Sequence, residues 1–121
     1  MELKRIDKEF SVCKARRLED INFQDEYCFL GKTDEEISLV CSTEYVPKDC
    51  AECENGWTAF RIQGILDFSL IGILSEISKI LADNHIGIFV VSTFNTDYIL
   101  VKEKNWRLAV KALSEHGHTF V

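Results

Sequence analysis

The second half of the chain switches between two apolar periods. Trp57–Gln63 (Trp-Thr-Ala-Phe-Arg-Ile-Gln) alternates as a strand does. Gly64 breaks the run, and Ile65–Ser69 reads as a loop. From Leu70 to Ala82 the spacing lengthens: Leu70, Ile73, Leu74, Ile77, Ile80 and Leu81 fall on one stripe of a helix. Asp67 or Ser69 can cap its start, and Asp83-Asn84 suits its exit. Ile86–Phe94 is β-branched and aromatic, as a buried strand is. Asn95-Thr96 fits a two-residue hairpin turn, although threonine is a poor residue for positive φ. Asp97–Lys102 returns as the next strand. Asn105 is placed to cap a second helix carrying Trp106, Ala109, Val110 and Leu113 inward. Gly117 ends that helix, and His118–Val121 forms a last strand. The order is βαββαβ, a ferredoxin-like α+β unit.

The first half is less regular. Phe10–Ala15, Tyr27–Gly31 and Ile37–Ser42 read as strands, the last two joined by the charged turn Lys32–Glu36. Leu18–Ile21 is too short for a helix. Residues 44–56 are polar, contain Pro47 and Gly56, and read as a connector. No exact repeat is visible. A strand-rich half beside a complete βαββαβ unit nevertheless suggests two copies: an abbreviated one over residues 1–56 and a full one over 57–121.

A length of 121 residues suits one compact domain, or two very small ones sharing a core. The net charge is −6 and the sequence pI about 5.0, so the surface repels phosphate backbones. This argues against nucleic acid and against a membrane surface as partners. The acid is concentrated in residues 1–56, with 8 Lys/Arg against 14 Asp/Glu, whereas residues 57–121 carry 6 of each. No apolar run reaches the length of a membrane span, and Met1–Asp7 has no apolar signal core. The five cysteines are then expected to be reduced thiols of a cytoplasmic protein.

Catalytic patterns are missing: there is no Ser/His/Asp order, glycine-rich phosphate loop or paired-carboxylate helix. The turn from Gly64 to Gly72 is different. A strand-to-helix turn offers free backbone N–H groups at the positive end of a helix dipole, where a carboxylate binds. It also reads as a plain turn with a packed glycine, Gly72 lying in the first helical turn. Asp97 is unusual at the head of a strand. It can satisfy local turn amides, or face an α-amino or guanidinium group. Cys50-Ala-Glu-Cys53 is a lone CxxC among carboxylates, and no second pair completes a zinc site. Cys13, Cys28 and Cys41 read as small core residues. His85, His116 and His118 sit at helix ends, where a protonated imidazole is favoured. Lys4, Arg5, Lys14, Arg16 and Arg17 read as a solvated face.

Several segments together resemble one family. Trp57–Gly64 followed by Leu66–Leu74 looks like the opening of an ACT domain of the CASTOR-related subfamily. Ile86–Val101 resembles its central hairpin, and Glu35-Glu-Ile-Ser-Leu-Val-Cys41 with Val46-Pro47 resembles its first copy. The resemblance implies a tandem ACT pair and a non-enzymatic sensor that binds an amino acid or similar small metabolite where ACT units pack together. It also implies a homodimer, formed by sheet or helix packing, and no cofactor. In arginine-sensing relatives the aspartate matching Asp97 contacts the ligand. The ligand-binding set carried over is Gly64, Asp67, Phe68, Ser69, Gly72, Ser92, Thr93, Phe94 and Asp97, with Phe94 as an apolar wall. Two other readings stand beside it: an assembly module that has lost its pocket, and a metal-binding protein using Cys50 and Cys53.

Overall fold

Residues 1–63 and 72–121 are described by the computed structural model. The chain divides into two units, Met1–Asp7 with Thr58–Val121, and Lys8–Trp57. Two long strands, β1 (Glu2–Ala15) and β4 (Cys50–Ile62), contribute one end to each.

The larger unit adds α1 (Ile73–Asp83), β5 (Ile88–Ser92), β6 (Asp97–Lys102), α2 (Trp106–Glu115) and β7 (Thr119–Phe120). β5 and β6 pair antiparallel, from Ile88 opposite Val101 to Ser92 opposite Asp97, and β4 lies on the other side of β6. The first residues of β1 also neighbour β4, and they pair in parallel with β7 through Glu2–Thr119 and Leu3–Phe120. The start of the chain therefore supplies a strand to this unit, where a strand was expected only from Phe10. Leu3 and Ile6 are buried and the residues around them are charged, so the alternation is interrupted. Ile77, Ile80 and Leu81 of α1 and Ala109, Ala112 and Leu113 of α2 pack with Phe60, Ile62, Ile99 and Val101 in one core. The mixed α+β architecture is that of the ferredoxin-like fold.

Both helices end in the same way. The N–H groups of Gly117 and His118 return to the carbonyls of Ser114 and Leu113, and those of His85 and Ile86 to Ala82 and Leu81. This closure needs a left-handed residue. Gly117 supplies it at φ +89° and His85 at φ +60°. Asn105 holds the N-cap position of α2, but its side chain makes no capping bond. Leu70 and Ile71, expected in α1, lie outside the described residues.

The His116 Nδ1–H donates to the Ala112 carbonyl at 2.8 Å at the end of α2. His118 is instead buried, its Nε2 3.6 Å from Glu76 Oε1 and neither ring nitrogen hydrogen-bonded among the described residues. Burial holds its pKa below the ordinary 6.5, outweighing the pull of the Glu76 carboxylate. A folded-state pKa below the unfolded one means that the unfolded chain takes up the proton first. Stability is then full above pH 6.5 and falls as the pH drops below it. Urea unfolding at pH 7.5 and 5.5 should show a loss that His118→Phe lacks, of up to about 1.4 kcal/mol.

The smaller unit orders its strands β2 (Cys28–Lys32), β3 (Ile37–Ser42), β1 and β4. It contains single 3-10 turns at Leu18–Asp20 and Thr43–Tyr45 and no α-helix. Cys13, Ile21, Leu39 and Cys41 form one cluster of its core, and Phe10 and Val40 are buried as well. The expected connector over 44–56 is shorter than the sequence suggests, since β4 begins at Cys50. The CxxC therefore lies in a strand, and Gly56, at φ +82°, is a left-handed position within it.

Candidate functional site

Ser92 closes β5 and Asp97 opens β6, directly opposite each other. Opposed residues of an antiparallel pair share a face, so their side chains meet. The Ser92 hydroxyl donates to Asp97 Oδ1 at 2.5 Å. Oδ1 is thus engaged, and no described residue forms an ion pair with the half-buried Asp97. The Ser92 hydroxyl holds the carboxylate in place.

The connecting turn differs from the expected one. The Thr93 N–H donates to the Thr96 carbonyl at 2.9 Å, which leaves Phe94-Asn95 at the tip instead of Asn95-Thr96. Neither tip residue has positive φ. The Thr93 hydroxyl bonds the same carbonyl at 3.0 Å. Phe94 lies beyond the strand, 85% exposed at the tip, so the strand alternation that would aim it with Ser92 does not extend to it.

Thr96 is the residue that sequence reasoning passed over. It is buried, and its hydroxyl donates to the Ile62 carbonyl at 2.7 Å. That bond pins the turn before Asp97 to the end of β4, two residues ahead of Gly64. A threonine in a turn carries no local mark of such a role.

Gly72 is the N-cap of α1, not a residue of its first turn. Its φ is +92°, and a Cβ built there meets no described residue within 4 Å. That backbone conformation by itself favours glycine at this position. No hydrogen bond among the described residues joins Gly72 to the hairpin. Gly64, Asp67, Phe68 and Ser69 lie outside the described residues.

The hairpin of the smaller unit has the same strand lengths and turn hydrogen bond sixty residues earlier. Cys28–Lys32, Ile37–Ser42 and the 3-10 turn Thr43–Tyr45 correspond to Ile88–Ser92, Asp97–Lys102 and the turn Glu103–Asn105. Thr33 N–H donates to the Glu36 carbonyl at 2.9 Å, as Thr93 does to Thr96. Lys32 and Ile37 stand where Ser92 and Asp97 stand, so the hydroxyl–carboxylate pair belongs to the second hairpin alone.

A cleft of about 290 Å³ is lined by Lys8, Glu9, Ser42, Thr43 and Glu44, none of them an expected site residue. Among the described residues no group of three or more His, Cys, Asp or Glu side chains is arranged to hold a metal ion. No described helix is long and apolar enough to cross a membrane.

The family model for the ACT domain matches residues 52–115. Among solved structures, a protein from Agobacterium tumefaciens is 30% identical with a TM-score of 0.86, the match covering 99% of this chain and 91% of that one. A Vibrio cholerae protein described as a possible transport protein is 19% identical with a TM-score of 0.71, covering 94% and 88%. The ligand-free regulatory subunit of aspartate kinase from Thermus thermophilus is 7% identical with a TM-score of 0.64, covering 93% and 95%. At such identities the last two share the fold alone. No curated protein matches the chain. With more than half of its length matched by the family model and a 30% identical structure over nearly all of it, the chain belongs to the ACT domain family, whose members are regulatory small-molecule-binding modules and not catalysts.

Proposed function

We propose that this protein is a tandem ACT sensor of the CASTOR-related kind, in which a homodimer binds an amino acid or similar small metabolite at an interface between ACT units. The observation that carries the reading is the turn before Asp97. Thr96 ties it to the end of β4 through the Ile62 carbonyl, and Ser92 fixes the carboxylate. An α-amino or guanidinium group arriving there gains a charge-assisted hydrogen bond to a carboxylate already oriented. Thr93, Phe94 and Gly72 are the described neighbours proposed with it. Gly64, Asp67, Phe68 and Ser69 are proposed to contact the ligand from the segment outside the described residues. The sixty-residue offset between hairpins supports the tandem reading, and the loss of Asp97's counterpart supports one site per chain.

The test is a thermal shift with each of the twenty amino acids. A ligand at one hundred times its dissociation constant adds about 2.7 kcal/mol, which is a shift of several degrees for a domain this size. Asp97→Ala should abolish the shift while melting near the unliganded wild type. A full shift in that variant would remove Asp97 from the site. One observation favours a second reading, a ligand-free assembly module. β5 is an edge strand with half-buried Ile88, Val90 and Val91, and such edges pair readily. A stable dimer in sedimentation, with no shift from any amino acid, would favour it.

A further inference from the structure

Cysteines far apart in sequence converge in the smaller unit. Across the strand order β2, β3, β1, β4 lie Cys28, Cys41, Cys13 and Cys53. Cys28 is the register partner of Cys41, and Cys13 is flanked by the thiols of Cys41 and Cys53. Cys13 Sγ and Cys53 Sγ are 3.3 Å apart, from neighbouring strands. Their accessibilities are opposite: Cys13 is buried and Cys53 exposed. Cys53 also donates to Asn55 Oδ1 at 3.3 Å, and Ser11, itself buried on β1, donates to the same oxygen at 2.6 Å. These bonds hold the exposed thiol over the buried one. A disulfide bond is about 2.0 Å long, so the two sulfurs need approach by only ~1.3 Å more.

The geometry points to an oxidation site, in which a low-molecular-weight disulfide converts Cys13 and Cys53 to an intramolecular disulfide joining β1 to β4. Cys53 gives up its proton and attacks one sulfur of the reagent, expelling the first thiolate, which is protonated. Cys13 then gives up its proton and attacks Cys53 Sγ, expelling the second. The protein loses two electrons and two protons, and the reagent becomes two thiols. Burial first, then the hydrogen bond to Cys13, keeps the Cys53 thiol above its ordinary pKa. The thiolate is therefore scarce at neutral pH and the exchange is slow. Cys13 is raised further, by its hydrogen bond to Cys41 and by burial. It serves as the second thiol in this sequence, reached only through Cys53. The cross-link spans forty residues, which restricts the unfolded chain and should raise the melting temperature by several degrees.

The experiment incubates the folded protein with oxidised glutathione, alkylates the remaining thiols and maps the peptides. Cleavage after Glu52 separates Cys50 from Cys53, which matters because Cys50 neighbours both thiols. The expected product joins the Cys13 peptide to the Cys53 peptide, reverses with dithiothreitol, and leaves Cys28, Cys41 and Cys50 alkylated. It should persist in Cys50→Ser and vanish in Cys53→Ser, a substitution at an exposed position that the fold tolerates. A bond from Cys50 to either partner would overturn the proposal. So would a glutathione adduct that stays on Cys53, or full alkylation of all five cysteines.

Discussion

Phe60→Ala is expected to lower the unfolding free energy by about 3–5 kcal/mol, a large part of the ~5–15 kcal/mol that holds a domain together. Phe60 has no exposed surface. Its ring meets Phe120 edge-on at 5.6 Å and Trp106 at 6.0 Å, and those two meet each other at 5.3 Å. The three rings come from β4, α2 and β7, so the truncation removes contacts from three elements at once. Trp106 is further fixed from outside. The Arg5 guanidinium lies 4.5 Å from its ring centre, and Arg5 bonds Glu103 at 3.0 Å and Thr58 at 3.2 Å. A tryptophan held on two sides cannot slide in to fill the space, which places the loss towards the upper end of the range. Urea unfolding at neutral pH measures it. Leu108→Ala, on the exposed face of α2, is the control and should change stability by less than about 0.5 kcal/mol. A Phe60→Ala loss below about 1 kcal/mol would mean that the aromatic group is not the centre of this core.

Helical stripes and the two hairpins were the legible parts of this fold. Ile77, Ile80 and Leu81 are buried as their spacing requires, and Ile37–Ser42 and Asp97–Lys102 are strands at those very residues. The first residues of β1 were not legible, because Glu2, Lys4, Arg5 and Asp7 surround the buried Leu3 and Ile6. The start of β4 was not legible either: Ala51–Asn55 are exposed and polar, and pairing with β1 is a long-range fact with no local trace. The two hairpins, sixty residues apart, share only Phe29/Phe89 and Thr33/Thr93 as identities, so their likeness in shape leaves little trace in the sequence. At the candidate site, Asp97 stands out because carboxylates are rare in strands. Ser92 as its partner and Thr96 as the anchor depend on register and on Ile62, thirty-four positions away. The thiol pair is hidden for the same reason.

Asp25→Ala should cost about 3 kcal/mol, although Asp25 looked like one more acid in a charged half. The residue is buried, and its carboxylate accepts three hydrogen bonds. The Tyr27 N–H and the Ser42 hydroxyl reach Oδ1 at 3.0 and 2.7 Å, and the Ser42 N–H reaches Oδ2 at 2.8 Å. Ser42 is itself buried at the end of β3, so no water replaces the lost acceptor. Each buried donor left unpaired costs about 1–3 kcal/mol, and Ser42 has two. Asp25→Asn keeps the shape and one acceptor oxygen but turns an NH₂ group toward a donor, so its loss should be smaller, about 1–2 kcal/mol. Urea unfolding orders the three proteins. Hydrogen exchange locates the effect, with the Ser42 amide expected to exchange faster in Asp25→Ala while amides of α2 keep their protection. The smaller unit has no α-helix to cover its sheet, and one cluster of its core is only four residues with three partly buried neighbours. A buried carboxylate that clamps the loop before β2 to the end of β3 therefore bears a greater share of its stability than the same group would in the helix-backed unit. Equal stability of Asp25→Ala and wild type would leave that clamp without consequence.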